Sequence, residues 1–317
     1  MKIRHFLIAA FVILSTLACT QGEKKIKIGY IQITEDPVLN TAKEGLFKAL
    51  ADSGFIDGQN IRIIDNNANG DLSMIITILQ SLQSQGVDMI ITNSTPCMVS
   101  AAQIIKEIPV VFTVAFSPEQ VKLKSTPENL YGVYDPYNST DFVSLMQKFI
   151  PGLKKVGLPF NNAEANAEFS AKKLSAEFNA RGIEVITANV NSPNDIINAG
   201  QYLADKNVDA LLAAADNTVY LGLNALANIA DEKEIPLFVT DPNQSEKGAA
   251  VGMGVNYERW GYLSGQKAVE LLKGRTLNKK IEPITEMEFI INQKAATAQK
   301  LQIPQDILEK ATKVINQ

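Results

Sequence analysis

Two short polar stretches stand where a binding site could be built. Asn93-Ser94-Thr95 follows the apolar run from Val87 to Thr92 and precedes Pro96. Asn, Ser and Thr cap helices, and Pro fits a first helical turn. The free N–H groups and positive dipole end of such a helix hold a carboxylate or a phosphate. A plain cap would need only one of these residues. Asp216-Asn217-Thr218 stands at the matching place in a second, similar unit. The Asp216 carboxylate can pair with a ligand ammonium or serve as a structural N-cap, and spacing alone allows both. An anion site on one unit and a carboxylate on the other would bind a zwitterion, which would hold the two units together.

Gln32, Glu35, Phe116, Asp241 and Asn243 also follow predicted strands. Phe116 equally suits a core, and Glu35 a solvated loop. Trp260 and Tyr262 lie on a predicted helix and read as core or surface. Cys97 reads as a buried small residue. The only His is His5, in a segment expected to be removed. A Ser-His-Asp or Cys-His centre and a His-based zinc site are therefore not expected in the mature chain. No Walker A sequence occurs. Gly252-Met-Gly254 is half a dinucleotide fingerprint, but Tyr257 stands where it needs glycine. No cofactor and no metal is expected.

The elements that must position these residues form a repeat. Val87-Asp-Met-Ile-Ile-Thr is matched by Val208-Asp-Ala-Leu-Leu-Ala, and Glu107-Ile-Pro-Val-Val-Phe-Thr113 by Glu234-Ile-Pro-Leu-Phe-Val-Thr240. Each copy reads as buried strand, polar turn, helix, buried strand. Two βαβ copies predict two α/β lobes with parallel sheets. Ligands of such sheets sit beyond the carboxyl ends of the strands, so facing lobes would turn both polar stretches into one cleft. The pattern predicts helices over 38–53, 95–107, 139–150, 162–181 and 257–273, and a single helix after Asp216. Asp135-Pro136, Gly254–Tyr257 and Pro283 mark three crossings. They divide the chain into 26–134 plus 257–282 as lobe 1 and 135–256 plus 283–317 as lobe 2.

The chain has 30 Lys+Arg against 34 Asp+Glu, a balance that argues against nucleic acid as the main partner. The 46% apolar content supports two full cores. Lys2 and Arg4, the apolar run from Phe6 to Leu14 and then Ser15-Thr-Leu-Ala-Cys19 form a signal-peptide pattern over residues 1–18. A Cys after small residues resembles the lipobox of bacterial lipoproteins, with Leu17 one place late. Cys19 is the expected lipidation site, residues 19–25 a tether, and the membrane a partner through acyl chains. Ordinary secretion is the other reading.

Taken together, Ile28-Gly-Tyr-Ile-Gln32, Glu35-Asp-Pro37, Gly70-Asp71, Thr95-Pro96, Ile108-Pro-Val-Val-Phe-Thr113, Glu164-Ala-Asn166, Asp216-Asn-Thr218 and Thr240-Asp241 resemble a known pattern. It is that of the solute-binding lipoproteins of bacterial ABC importers, in the tryptophan/tyrosine-uptake branch, over residues 26 to 303. The resemblance implies a type I periplasmic-binding fold with two Rossmann-like lobes, a three-strand hinge and a closing cleft. It implies that Ser94 and Thr95 receive a ligand carboxylate and Asp216 an amine, with Gln32, Glu35, Asn166, Asp241 and Asn256 facing the cleft. Phe116-Ser117, Ala167 and Asn93-Ser94 depart from the family pattern at cleft positions. The expected function is an extracytoplasmic, lipid-anchored, monomeric receptor that hands an aromatic or large apolar amino acid to an ABC permease. Two readings compete with it. One keeps the fold and binds a sugar or nucleoside, which needs flanking aromatics and many side-chain hydrogen bonds. The other is a carboxylate-dependent hydrolase, for which Glu35-Asp36 is the nearest acidic pair.

Overall fold

The computed structural model describes residues 25–316. The expected signal peptide and Cys19 lie outside the described residues. The chain forms two sheets in tandem. The first takes β1 (Ile26–Gln32), β2 (Ile61–Asn67), β3 (Met89–Asn93), β4 (Val110–Ala115), β5 (Leu130–Tyr134) and β11 (Ile281–Pro283), in the order β11-β5-β4-β3-β1-β2. The second takes β6 (Lys155–Phe160), β7 (Glu184–Asn189), β8 (Ala210–Ala213), β9 (Leu237–Val239), β10 (Val251–Val255), β12 (Met287–Asn292) and β13 (Lys313–Ile315), in the order β13-β12-β10-β9-β8-β6-β7. Pairing is parallel throughout the first sheet. In the second, β10 and β12 run antiparallel, an exception that the repeat does not contain. Both sheets carry helices on their faces, which explains the unbroken apolar runs of β3 and β8.

The sequence repeat is a repeat of bonds. Asp88 Oδ2 accepts from the Lys27 N–H at 2.8 Å, and Asp209 Oδ2 accepts from the Lys154 and Lys155 N–H groups at 2.8 Å. The Ile90 N–H donates to Pro109 O at 2.9 Å, and the Leu211 N–H to Pro236 O at 2.9 Å. In each copy the Asp therefore ties the strand that follows it to a neighbouring strand.

Three crossings join the sheets side by side. The Ile284 N–H donates to Tyr134 O and the Asn256 N–H to Glu286 O, each at 2.9 Å. The helix α9 (Tyr257–Leu272) returns to the first sheet and packs along α1 (Pro37–Asp52). Small residues let the two backbones meet. A Cβ on Gly261 would strike the Ala42 carbonyl, and one on Gly45 the Glu258 carbonyl, both far inside contact distance.

Three helices differ from expectation. The helix α3 (Thr95–Ile104) stops short of Glu107 because Ile105 turns extended, and Asn129 Nδ2 takes the freed carbonyls of Ile105 and Ile108 at 3.2 and 2.7 Å. The helix α5 (Ala165–Ala180) starts after Glu164, since Asn161 Oδ1 holds the Ala163 N–H at 2.9 Å in a turn. The helix after Asp216 is broken into α7 (Asn217–Leu221) and α8 (Leu223–Lys233) at Gly222. There the backbone passes so close to Pro193 O and Ile196 that no Cβ fits.

Candidate functional site

The carboxyl ends of both sheets open into one shared cavity, the place where open α/β sheets bind ligands. Of the candidate residues, Thr95, Phe116, Asn166, Asp216 and Asp241 line it together. Gln32, Glu35, Ser94 and Asn256 stand behind or beside the wall. Gln32 is buried and donates to Thr34 O at 2.9 Å and to Glu35 Oε2 at 3.1 Å. Glu35 is exposed and takes Asn40 Nδ2 at 2.7 Å. Asn256 N-caps α9 through the Arg259 N–H at 2.7 Å and donates to Glu288 at 2.6 Å. Asn243 sits in the turn after β9, its N–H on Asp241 Oδ1 at 3.1 Å.

Two residues beside the cavity carry backbone strain. Ser94, the N-cap of α3, has φ +121°, and Val114 in β4 has φ +48°. A β-branched residue at positive φ is unfavourable, and such conformations cost on the order of 1–3 kcal/mol. At Val114 the β4–β5 register shifts between Phe112 and Ala115. The shift delivers Val114, Ala115 and Phe116 into the cavity wall. Thr95 helps to fix that loop, since its Oγ1 accepts from the Phe116 N–H at 3.2 Å.

Asp216 is both cap and wall. Its Oδ1 accepts from the Val219 N–H at 3.0 Å and its Oδ2 from the Asn161 N–H at 2.6 Å, yet it lines the cavity. Each carboxylate oxygen has a second lone pair for a further donor. Beside it, Asn166 Nδ2 donates to Ala215 O at 2.9 Å, while Asn166 Oδ1 is buried without a partner. Behind both, Glu164 caps α7 through the Thr218 N–H at 3.1 Å and Oγ1 at 2.7 Å.

The electrostatics are one-sided. Asp36, Asp135, Asp216 and Asp241 all face the cavity; among the described residues no Lys or Arg lines it, and the nearby cation Lys247 pairs with Asp36 at 2.6 Å. Burial, then the Glu164 charge, raises the Asp216 carboxyl well above the usual carboxylate range. Burial, then the Asp36 charge, pushes Asp241 up to about 8, and burial pushes Asp135 up to about 6. A cationic group entering this space would relieve a cost that is already present. The apolar remainder comes from Val38, Leu39, Phe116, Tyr220, Tyr257 and Trp260.

Trp260 was expected in the core or at the surface. It is 2% exposed, donates its indole N–H to Val133 O at 2.7 Å and still walls the cavity. Tyr262 lies on the outer side of α9, its hydroxyl 3.3 Å from Asp52 Oδ2. Sequence reasoning missed Asp36, Asp135, Tyr220 and Tyr257 as wall residues. The available signals were the Asp-Pro steps at 36–37 and 135–136 and the i, i+3 spacing of Tyr257 and Trp260 just after a crossing.

Two α/β lobes joined at three crossings, with a buried, charged cavity at the carboxyl ends of both sheets, define a type I periplasmic-binding protein. Residues 27–315 match the profile of the ABC transporter substrate binding protein family. A tyrosine-binding protein of Clostridioides difficile is 30% identical over 290 residues, 89% of this chain and 84% of that one. A Streptococcus pneumoniae ABC domain in complex with L-Trp superposes with a TM-score of 0.85 at 26% identity, covering 92% of this chain and all of that one. A ligand-free, open substrate-binding protein from Clostridium difficile gives 0.67 at 29% identity, covering 92% of this chain and 99% of that one. The chain belongs to the ABC transporter substrate-binding family and is an extracytoplasmic solute-binding component. Its partners are a small-molecule ligand and a permease. No helix of the described residues is long and apolar enough to cross a membrane.

Proposed function

We propose that this protein is the receptor of an amino-acid importer, held at the membrane through Cys19, and that its ligand is an aromatic or large apolar amino acid. The ligand ammonium would sit between Asp216 and the unpartnered Asn166 Oδ1, and its carboxylate at the α3 start beside Thr95. The side chain would lie among Phe116, Tyr220, Tyr257 and Trp260. The observation that carries this reading is that Thr95 and Asp216, from the two copies of the repeat, line one cavity. The tyrosine-binding and L-Trp-bound relatives support the aromatic class. The lobe boundaries that fit this reading are 26–134 plus 257–282 and 135–256 plus 283–317, so that the ligand touches both.

A thermal-shift panel of the amino acids, sugars and nucleosides tests it. Ligand at 100 times its dissociation constant stabilises by about 2.7 kcal/mol. Tyrosine or tryptophan is expected to give the largest shift. A response confined to sugars or nucleosides overturns the amino-acid reading.

Affinity should also depend on pH, in a direction that the buried acids fix. Asp241 at about 8 and the raised Asp216 hold protons in the folded, ligand-free protein that the unfolded chain has released above roughly pH 4. The native state thus binds more protons than the unfolded state across that window. Ligand-free stability should therefore fall as pH rises toward 8. An ammonium beside Asp216 favours the ionised carboxylate, so binding releases a proton and affinity rises from pH 6 to 8. Calorimetry in buffers of different ionisation enthalpy measures that proton directly. Flat affinity with no proton release would count against the placement of the ammonium.

A further inference from the structure

Asp36 belongs to the first sheet's side of the cleft and is gripped from the second. It caps α1 through the Val38 N–H, 2.9 Å from Oδ1, and lines the cavity. The turn Pro242–Lys247 after β9 supplies its partners across the cleft. Lys247 Nζ lies 2.6 Å from Asp36 Oδ2. Gln244 Nε2 lies 3.5 Å from Asp36 Oδ1 and 3.4 Å from Asp241 Oδ2. Lys247 Nζ also donates to Tyr220 O at 3.3 Å, and Tyr220 is a cavity wall.

We infer that Lys247, with Gln244, couples lobe closure to ligand affinity by holding Asp36 across the cleft, without touching the ligand. Asp36 hangs from the β1–α1 connection and Lys247 from the β9–β10 connection, so the pair spans the two sheets. Opening at the crossings would separate them. The side chains are 7% and 22% exposed, so solvent screens the pair less than a surface bridge. Opening rehydrates both charges, which keeps the net gain small and leaves the ligand to complete closure. Removing the pair lowers the closed fraction, and apparent affinity falls in proportion to it. Lys247 is thus a positioning residue. The inference rests on the reading that the cavity holds a ligand, but not on which one.

The test uses Lys247→Met, with L-tyrosine and L-tryptophan as probes at low and high NaCl. If neither binds, the probe is the panel compound that gives the largest thermal shift. Where that compound is a sugar or a nucleoside, the amino-acid reading falls while this experiment runs unchanged. Lys247→Met is expected to weaken binding about tenfold. Wild-type affinity for a net-neutral ligand should fall with salt, because the clasp is ionic, and the variant's response should be flat. Lys247→Arg should restore most of the affinity. Asp36→Asn, which keeps a capping side chain, should match Lys247→Met, and the double variant should be no worse than either single one. Affinity within about twofold of wild type, or the same salt response in both proteins, overturns the inference. A merely structural role would lower the melting temperature and leave the salt response intact, and that result overturns it as well.

Discussion

Replacing Asp216 by Asn is expected to cut affinity for an amino-acid ligand by roughly two orders of magnitude and to cost the ligand-free protein about 1–3 kcal/mol. Asn is nearly isosteric with Asp and caps helices equally well, so the Val219 N–H, now 3.0 Å from Oδ1, keeps an acceptor, while the Asn161 N–H, now 2.6 Å from Oδ2, would face the amide NH2 and lose its own. What disappears is the negative charge that an ammonium would meet in a site shut off from water. An unpaired buried charge costs about 2–5 kcal/mol in binding, far more than a cap. The variant Asp216→Ala should lose the same affinity and more stability, because the Asn161 and Val219 N–H groups both lose their acceptor. Calorimetric titration beside a denaturant melt separates the two quantities. If Asp216→Asn binds within about threefold of wild type, the carboxylate is a cap alone. The ammonium must then be placed elsewhere, with Asp241 the next buried acid on the wall.

Gly261→Ala should be among the most damaging single-methyl changes in the chain. Alanine normally favours a helix over glycine by about 1 kcal/mol, so an exposed site would gain. At Gly261 the added carbon would meet the Ala42 carbonyl, a backbone atom that cannot rotate away. The α1–α9 contact must then spread. Gly45 on α1 and Gly265 on α9 show the same close approach. Overpacking of this kind costs about 1–3 kcal/mol or more, a melting-temperature loss of roughly 2–5 °C in a chain of this length. Binding should suffer too, since α1 carries Val38 and Leu39 and α9 carries Tyr257 and Trp260, all wall residues. Gly152→Ala is the control, because a Cβ there meets nothing within 4 Å. A Gly261→Ala protein that melts with wild type would show that the helices are farther apart than described.

Much of this protein was determined by local sequence. Apolar runs bounded by Asp at one end and polar turns at the other made β3 and β8 buried strands, and the Ile-Pro steps placed β4 and β9. These signals are legible because strand burial and helix capping are set by neighbours within a few residues. The repeat added that Thr95 and Asp216 should occupy equivalent positions at the ends of strands. The sequence could not say that Asp216 would be cap and cavity wall at once. That depends on how far α7 stands from the first sheet.

Other features were decided only by tertiary packing. Trp260 became a wall because α9 crosses back and lies against α1 over glycine and alanine. Val114 accepted a strained backbone because the β4–β5 register shift demands it. In the sequence Asp36 read only as half of an acidic pair with Glu35, and Lys247 carried no signal. They form a pair because the hinge brings the β1–α1 and β9–β10 connections together, through contacts more than 200 residues apart in sequence. Local propensity reports the free energy of a segment against its own unfolded chain. The meeting of two lobes is a small difference between large solvation and Coulomb energies, and it exists only once both surfaces are in place.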